Sequence, residues 1–392
     1  MRVPGARPDI AIVGAGPVGA TLALALARAG DDLDIVAIDP RAPGEAGRAD
    51  RSLALSHGAR LIFERLGVWS RVAGTEGAVT PIVAIDVSQA RGFGAARLDA
   101  REVGLPALGY VVSYRALSAA LDDALAATAV ELCYGTEVSR VEGATDFAAL
   151  ELAGPAAGSI EARLAVVADG VGAAVTGVTR RRRDYGQVAL IATLALATPH
   201  RGVAYERFTV DGPVALLPER DHYALVWTQS PAEAERSKAL SESEFLDALA
   251  RHFGPRVDRF AGVGARRSFP LALDVAAATT SRRVVVIGNA AQSLHPIAGQ
   301  GFNLGLRDAW ELARTIERTP KSEMGGDAML AAYRRSRRVD RNAGILFTDG
   351  LVRLFGSGVP LASAARGAGL ALLDLVAPAR RMFTRAMLFG LH

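Results

Sequence analysis

The sequence predicts an α/β protein in which a Rossmann-type nucleotide-binding domain carries an inserted antiparallel β-sheet and ends in a helical C-terminus. Three observations lead there. A short apolar run at 10–13 breaks into Gly14-Ala15-Gly16-Pro17-Val18-Gly19, and a helical pattern follows to residue 29. Strand-like runs joined by Gly, Pro and Asp turns crowd residues 186–228. Beyond about residue 302 the chain keeps a helical period. At 392 residues it exceeds one ordinary core, which agrees with two lobes around a cleft.

The elements follow in order. Ile35 to Asp39 reads as the second strand of a βαβ unit, 52–66 as a helix and 80–88 as strand. Ser113 is placed to cap a helix over 115–127, and runs near 131–142, 148–152 and 160–168 read as strands. The inserted sheet is expected from Gln187–Ala197, Tyr205–Val210, Val214–Leu217 and Tyr223–Trp227. A buried strand at Val284–Ile287 feeds a glycine-rich loop over 288–301 and a helix over 302–318. The expected organisation is a discontinuous nucleotide domain at 1–75, 100–185 and 270–330, a substrate-binding sheet domain at 76–99 and 186–269, and a helical region at 331–392.

Composition excludes several classes. Lys and Arg number 45 against 41 Asp and Glu, too slight an excess for a nucleic-acid partner. The single cysteine, Cys133, rules out an intrachain disulfide framework and a Cys-rich metal site, so no metal is expected and a reducing, cytoplasmic setting fits. Cys133 itself reads as a buried small hydrophobe. Residues 1–9 offer no signal-peptide core, and no apolar run reaches the roughly 18–20 residues needed to span a bilayer.

Three glycine sites carry the chemistry. In the first, Gly14 permits a tight turn, Gly16 admits a pyrophosphate and Gly19 lets helix and strand pack, with the helix N-terminus facing the phosphates. Asp39 closes the second strand twenty residues after Gly19, where a carboxylate can accept both hydroxyls of a ribose. The second site is Ala168-Asp169-Gly170 at a strand end. The third runs from Gly288-Asn289-Ala290-Ala291 through His295-Pro296-Ile297-Ala298-Gly299-Gln300-Gly301-Phe302-Asn303, where free helix N–H groups could hold an electron-rich ring edge. A nicotinamide dehydrogenase needs no third site; a tricyclic flavin does.

With these motifs the chain resembles the class A FAD-dependent aromatic monooxygenases, and within them the ubiquinone-biosynthesis hydroxylases of the 2-octaprenyl-6-methoxyphenol hydroxylase type. Further marks are Asp50-Arg51-Ser52-Leu53-Ala54-Leu55-Ser56, Tyr114-Arg115-Ala116-Leu117, Asp184-Tyr185-Gly186-Gln187-Val188-Ala189, Gly212 to Pro218, and the run from His295 to Asp308. The resemblance implies a p-hydroxybenzoate hydroxylase-like fold and an oxygen transfer from a flavin C4a-hydroperoxide to a polyprenyl phenol or quinone precursor. FAD, O2 and an NAD(P)H reductant are the implied co-reactants. It implies that Gly14, Gly16, Pro17, Val18 and Gly19 hold the pyrophosphate and that Asp39, Pro40 and Arg41 take the adenosine side. Arg51, Arg115, Asp169 and Gly170 would then lie along the cofactor, with Gly288, Asn289, Pro296, Gly299, Gly301, Phe302 and Asn303 at the flavin. Surface ion pairs for the two arginines, and an ordinary strand-end turn for Asp169, remain open as alternatives. His295, Pro296 and Gln300 are the candidates beside the reacting ring, His295 in a positioning or packing role. Substrate contacts are sought around Tyr185, Gln187, Phe208, Leu216 and Trp227, each of which could equally be core.

Two motifs depart from the family pattern. The usual Gly-Asp-Ala-Ala-His reads Gly288-Asn289-Ala290-Ala291-Gln292, which replaces a charged acceptor by an amide and predicts weaker FAD binding. After Asp169-Gly170 the customary serine and arginine give way to Val171-Gly172-Ala173-Ala174, leaving the run Arg180–Arg183 as a compensating contact or a solvated charge run. A reductase or epoxidase on the same fold, and a non-catalytic accessory member, therefore stand as alternatives to the hydroxylase. Between Leu351 and His392, Arg353, Arg366, Arg380, Arg381 and Arg385 face only Asp374 among many apolar residues. That composition suits a peripheral position on the inner face of the membrane, a partner surface in a biosynthetic complex, or plain packing on the FAD domain.

Overall fold

A computed structural model describes residues 7–29, 32–45, 51–90, 94–154, 157–170, 172–209, 211–356 and 360–391, without the side chains of residue 298 and of 354–366. Asp50, Val171, Val210 and the side chain of Arg366 thus lie outside the described residues.

The nucleotide domain is built on a six-stranded sheet in the order Thr280–Ser281, Val284–Val286, Leu164–Val167, Ile10–Val13, Ile35–Asp39, Glu131–Tyr134, parallel throughout except for its first strand. Strands buried on both faces must be apolar on both, which is why Ile10–Val13 and Leu164–Val167 are unbroken hydrophobic runs. The described helices are α1 (Pro17–Arg28), α2 (His57–Arg65), α3 (Trp69–Ala73), α4 (Tyr114–Ala126), α5 (Pro231–Ala239), α6 (Glu242–Phe253), α7 (Gln300–Glu317), α8 (Asp327–Gly356), α9 (Pro360–Leu375) and α10 (Ala377–Phe389). One core packs α1, α2, α4 and α7 on one face of the sheet; a second lies between the other face and the small sheet of 137–143, 148–153, 158–162 and 174–175. Cys133 packs at the edge of this second core, half-buried rather than enclosed.

Residues 52–66 are not one helix. Ser52–Ser56 forms a strand antiparallel to Gly109–Ser113, and only then does α2 begin, capped by Ser56, whose hydroxyl accepts from the Ala59 amide at 3.2 Å. The span 131–142 likewise divides into Glu131–Tyr134 and Glu137–Gly143 around Gly135, whose φ of +69° makes the turn. Ser113 caps α4 by accepting from the Ala116 amide.

The large sheet runs Gln292–Ser293, Arg267–Ala276, Arg180–Leu196, His222–Gln229, Pro213–Glu219, Val203–Phe208, Ala84–Gln89, Ala95–Asp99. Its long strand starts at Arg180, and a bulge between Asp184 and Gln187 re-aims it at Gly186 (φ +63°). One face buries Leu190, Leu194, Val214, Leu216, Leu225 and Trp227 against Phe245, Leu249 and Phe253 of α6. The opposite face looks toward the nucleotide domain and is roofed by α8, α9 and α10.

Candidate functional site

The three glycine sites converge. Gly14 (φ +94°) lies so close to Asp169 that a Cβ on it would sit 2.7 Å from the Asp169 Cα, which joins the first site to the second. A Cβ on Gly288 would lie 3.1 Å from the Val18 side chain, and one on Gly305 would lie 2.9 Å from the Gly288 Cα, which joins the third site to the first. Gly19 is needed for packing, because its Cβ would fall 1.9 Å from the Gly14 carbonyl oxygen.

These residues fit FAD. Gly16 caps α1 without a side-chain bond, Pro17 occupies the first turn, and a Cβ on Gly16 would meet no protein atom within 4 Å, so the helix end opens on free space. Gly299, left-handed at φ +60°, caps α7 with no side-chain bond, leaving first-turn N–H groups at Gly301 and Phe302 for an acceptor. Asn303 is spent on holding this loop: its amide donates to Gly299 O at 2.7 Å and to Ala54 O at 3.0 Å, and its carbonyl accepts from the Ser56 amide at 2.8 Å. One oxygen of Asp169 accepts from the Ala173 amide, while Oδ1 is buried with no protein partner, an acceptor suited to a cofactor hydroxyl. Burial raises the Asp169 carboxyl above its ordinary range, more than the Ala173 and Gly172 amides lower it.

Asp39 sits at the expected strand end, but its oxygens already accept from the Ala15 and Arg41 amides and from both arms of the Arg41 guanidinium at 2.7 and 2.8 Å. These fill its four acceptor positions, so a ribose must displace or share with Arg41. Burial would raise this carboxyl; Arg41 outweighs it and holds it below its ordinary range. Pro40 beside it is exposed. Arg51 stacks over the Tyr114 ring at 4.1 Å, and Arg115 is exposed on the first turn of α4. Gly170 turns at φ +89° with space in front of it.

In the third site Asn289 is exposed, and its backbone oxygen takes a long bond from Arg180 at 3.4 Å. Arg180 also bonds the Ala290 carbonyl and pairs with Asp274 at 2.9 Å, so the first arginine of the run is a strut for this loop, while Arg181 and Arg182 are solvated. Gln292 is fully buried. It donates to Asp308 at 2.6 Å and accepts from Arg341 at 2.9 Å, within a network in which Arg337 bonds Asp308 at 2.8 Å and, with Arg307, pairs with Asp340 at 2.9 and 2.8 Å. The amide at 292 can donate and accept at once, which such a place requires. Nothing in the sequence pattern disclosed this role, because α8 lies far along the chain.

His295 is 1% exposed, and burial lowers its pKa to about 4, so it is neutral near pH 7. Its Nδ1 accepts from the Ile297 amide and its ring meets Tyr185 edge-on at 5.6 Å. The ring is packed inside the loop, and its Nε2 is buried without a partner in the protein. Pro296 and Gln300 border a cavity of about 550 Å³ with Gly299 and Asn303. Its other walls are Ile85, Val87, Phe208, Ala215, Leu217 and Val226 of the sheet, Phe347 and Leu351 of α8, Leu370 and Leu373 of α9, and Phe383 and Met387 of α10. Of the expected substrate contacts only Phe208 lines it. Leu216 and Trp227 point into the core on the opposite face; Tyr185 donates to Asp349 at 3.1 Å, and Gln187 to the Asp211 carbonyl. Among the described residues no metal-ligating cluster occurs.

Comparison with known proteins agrees with this geometry. The family model described as an FAD binding domain matches residues 7–343. The ubiquinone hydroxylase UbiL of Rhodospirillum rubrum is 32% identical over 96% of this chain and 88% of its own length. The 3-demethoxyubiquinol 3-hydroxylase of Escherichia coli is 32% identical over 76% of this chain and 77% of its own. Among solved structures, p-nitrophenol 4-monooxygenase PnpA of Pseudomonas putida superposes with a TM-score of 0.76 at 18% identity, covering 98% of this chain and 99% of its own. PqsL of Pseudomonas aeruginosa in complex with 2-aminobenzoylacetate gives 0.72 at 20%, over 93% and 99%. By the family match and the length of these alignments, this protein belongs to the FAD-binding-domain monooxygenases, a family of FAD-dependent aromatic hydroxylases.

Proposed function

We propose that the chain hydroxylates the ring of a polyprenyl phenol or quinone precursor in ubiquinone biosynthesis. The observation that carries this reading is the cavity: an apolar space of about 550 Å³ that opens on Pro296 and the α7 N-terminus, where the isoalloxazine would lie. Its size falls in the ~300–1,000 Å³ range of small-molecule sites. Its aliphatic and aromatic walls suit a prenylated ring, and the relatives above are named as a ubiquinone hydroxylase and a 3-demethoxyubiquinol 3-hydroxylase.

Bound and reduced FAD would supply the chemistry by which one atom of O2 goes to an electron-rich ring carbon and the other to water. NAD(P)H is the proposed source of the two electrons. The protein's residues bind, orient and exclude water. Gly14, Gly16, Pro17, Val18 and Gly19 would seat the pyrophosphate, Asp39, Pro40 and Arg41 the adenosine, and Arg51, Arg115, Asp169 and Gly170 the stretch between. Gly288, Asn289, Gly299, Gly301, Phe302 and Asn303 would seat the flavin, whose negative charge on reduction the α7 N–H groups favour. Pro296 and Gln300 would face the ring, and His295 would fix the loop that carries them. The domain division follows as a proposal too: a nucleotide domain from 1–75, 100–185 and 270–330, a substrate sheet from 76–99 and 186–269, and a helical roof from 331–392.

The helices of that roof expose Leu346, Leu372, Leu375 and Met382, with Arg381 and Arg385 nearby. No described helix is long and apolar enough to cross a membrane. We place the protein at a membrane surface through this face, from which a prenylated substrate would enter.

The test is direct. FAD-loaded protein given NADPH, O2 and 2-geranylphenol is expected to yield a product heavier by one oxygen atom, with the label from ¹⁸O2. Oxidation of NADPH with no ring product would reject the hydroxylase reading.

A further inference from the structure

One acidic side chain stands inside the apolar cavity. Glu206, on the Val203–Phe208 strand, is the sole carboxylate among the described residues that line it. Its sheet neighbours, paired across the strands, are Val87 and Ala215, and on the same face of its own strand stand Ala204 and Phe208. Its Oε1 is buried and has no hydrogen-bond partner in the protein. A carboxyl left so costs folding free energy, and a cavity meant only to hold hydrocarbon would be better without it. Glu206 shares this cavity with Pro296, Gly299 and Gln300 of the loop at the α7 N-terminus. Phe208, about 7 Å further along the strand, packs on Ile297, the residue after Pro296.

We propose that Glu206 is the base that takes the proton from the ring hydroxyl of the substrate, an assignment that rests on the hydroxylase reading above. The hydroxyl O–H bond breaks, the proton passes to a Glu206 oxygen, and the electron pair stays on the substrate oxygen. From there it delocalises into the ring and enriches the carbons ortho and para to it, the ones an electrophilic oxygen attacks. No oxidant or reductant enters this step, and the proton returns as product departs.

The surroundings suit the task. Burial alone lifts the Glu206 carboxyl to about 7, where a base works best near neutral pH. The described lining residues contributed by Ala84–Gln89, Pro213–Glu219, His222–Gln229, the 296–303 loop, α8, α9 and α10 carry no charge; on the strand of Glu206 itself Tyr205 is the other titratable group in the described lining, and burial raises it. His295, neutral down to about pH 4, does not compete. The ionised form is the active one, so the rate should rise with pH up to about 7 and then level.

The experiment compares 2-geranylphenol with its methyl ether on the oxidised, FAD-loaded enzyme and then follows hydroxylation. At about pH 8.5 the wild type is expected to bind the phenol tenfold or more tighter than the ether, as a hydrogen bond to a charged acceptor gives. That ratio should shrink as pH falls below about 7. Glu206→Gln is expected to abolish the pH dependence of the ratio, to bind the ether as the wild type does, and to lower phenol hydroxylation on the order of 10²-fold without the acidic limb. Glu206→Asp should keep the limb at an intermediate rate. Equal affinities of the wild type for phenol and ether, or a Gln variant with the wild-type ratio and limb, would overturn the assignment; loss of ether binding in the Gln variant would reduce Glu206 to a structural role. The wild-type ratio needs no variant, so misfolding cannot shield the proposal. A wild type that shows the ratio and its pH dependence but makes no ring product rejects the hydroxylase reading and leaves the proton acceptor standing.

Discussion

Gly16 and Gly19 lie three residues apart and separate binding from folding. A Cβ at 16 would meet no protein atom within 4 Å, and the backbone there is at φ −65°, open to any residue. Gly16→Val is therefore expected to fold as the wild type does while losing FAD, since its methyls occupy the pyrophosphate's place. Gly19→Ala should instead unfold the apoprotein, its Cβ falling on the Gly14 carbonyl. Thermal melts with and without FAD, beside a fluorescence titration, read both; undiminished FAD affinity in Gly16→Val would defeat the assignment. The sequence disclosed this pair because turn, helix start and close packing are all local. It did not disclose the Arg41 fork closing on Asp39, nor Glu206: a single acid in an apolar strand reads as an exposed position until the sheet shows which face it is on. The same blindness chose Leu216 and Trp227 over Ala215, Leu217 and Val226. Both faces of those strands are apolar, and bulk pointed to the core side.

At the scale of elements, the ion network joins α7, α8 and the 288–292 loop. Arg337 and Asp308 are each about 2% exposed at the side chain, so removing one leaves the other charged and buried. Arg337→Met is expected to cost ~3–5 kcal/mol in urea unfolding and to speed FAD loss, because Asp308 also steadies Gln292 and the Gly288 amide. A cost under about 1 kcal/mol would show the network to be dispensable. Acid should act alike. Burial would raise Asp340, but Arg307 and Arg337 outweigh it, so its carboxyl lies below the ordinary range. A depressed carboxylate stabilises the fold above its unfolded pKa and ceases to as pH falls through the folded one. Helices and strands of this size were legible where their period was plain, as in α1, α4 and α7. Ser52–Ser56 read as helix because its partner, Gly109–Ser113, is distant in the chain and α2 follows without a break. Arg180 was legible only as charge, since its partners Asp274 and the 289–290 backbone are about a hundred residues away.

For the whole molecule, the arrangement predicts how it meets a bilayer. Arg380 is not free for headgroups, because it pairs with Glu102 at 2.7 Å and bonds the Asp374 carbonyl; Arg381 and Arg385 are exposed. The protein is expected to sediment with vesicles containing phosphatidylserine at low salt, and Arg381→Ser with Arg385→Ser to weaken this about tenfold or more without loss of FAD. A protein that stays wholly in the supernatant would refute the membrane face. The charge and apolar content of this region were legible in the sequence. That its helices roof the cavity was not, since the sheet they cover lies more than a hundred residues earlier. One of them, α8, does two things along a single rod. Its first half holds Arg337 and Asp340 against α7 and Arg341 against Gln292 and the Ala291 carbonyl, and its second half puts Phe347 and Leu351 against the substrate space. From Asp340 to Leu351 the helix rises roughly 16 Å, so a tilt of about 5° at the anchored half displaces the far end by ~1.4 Å. That is close to the radius of a water molecule. One helix thus links the wall of the substrate space to the network behind the cofactor loop.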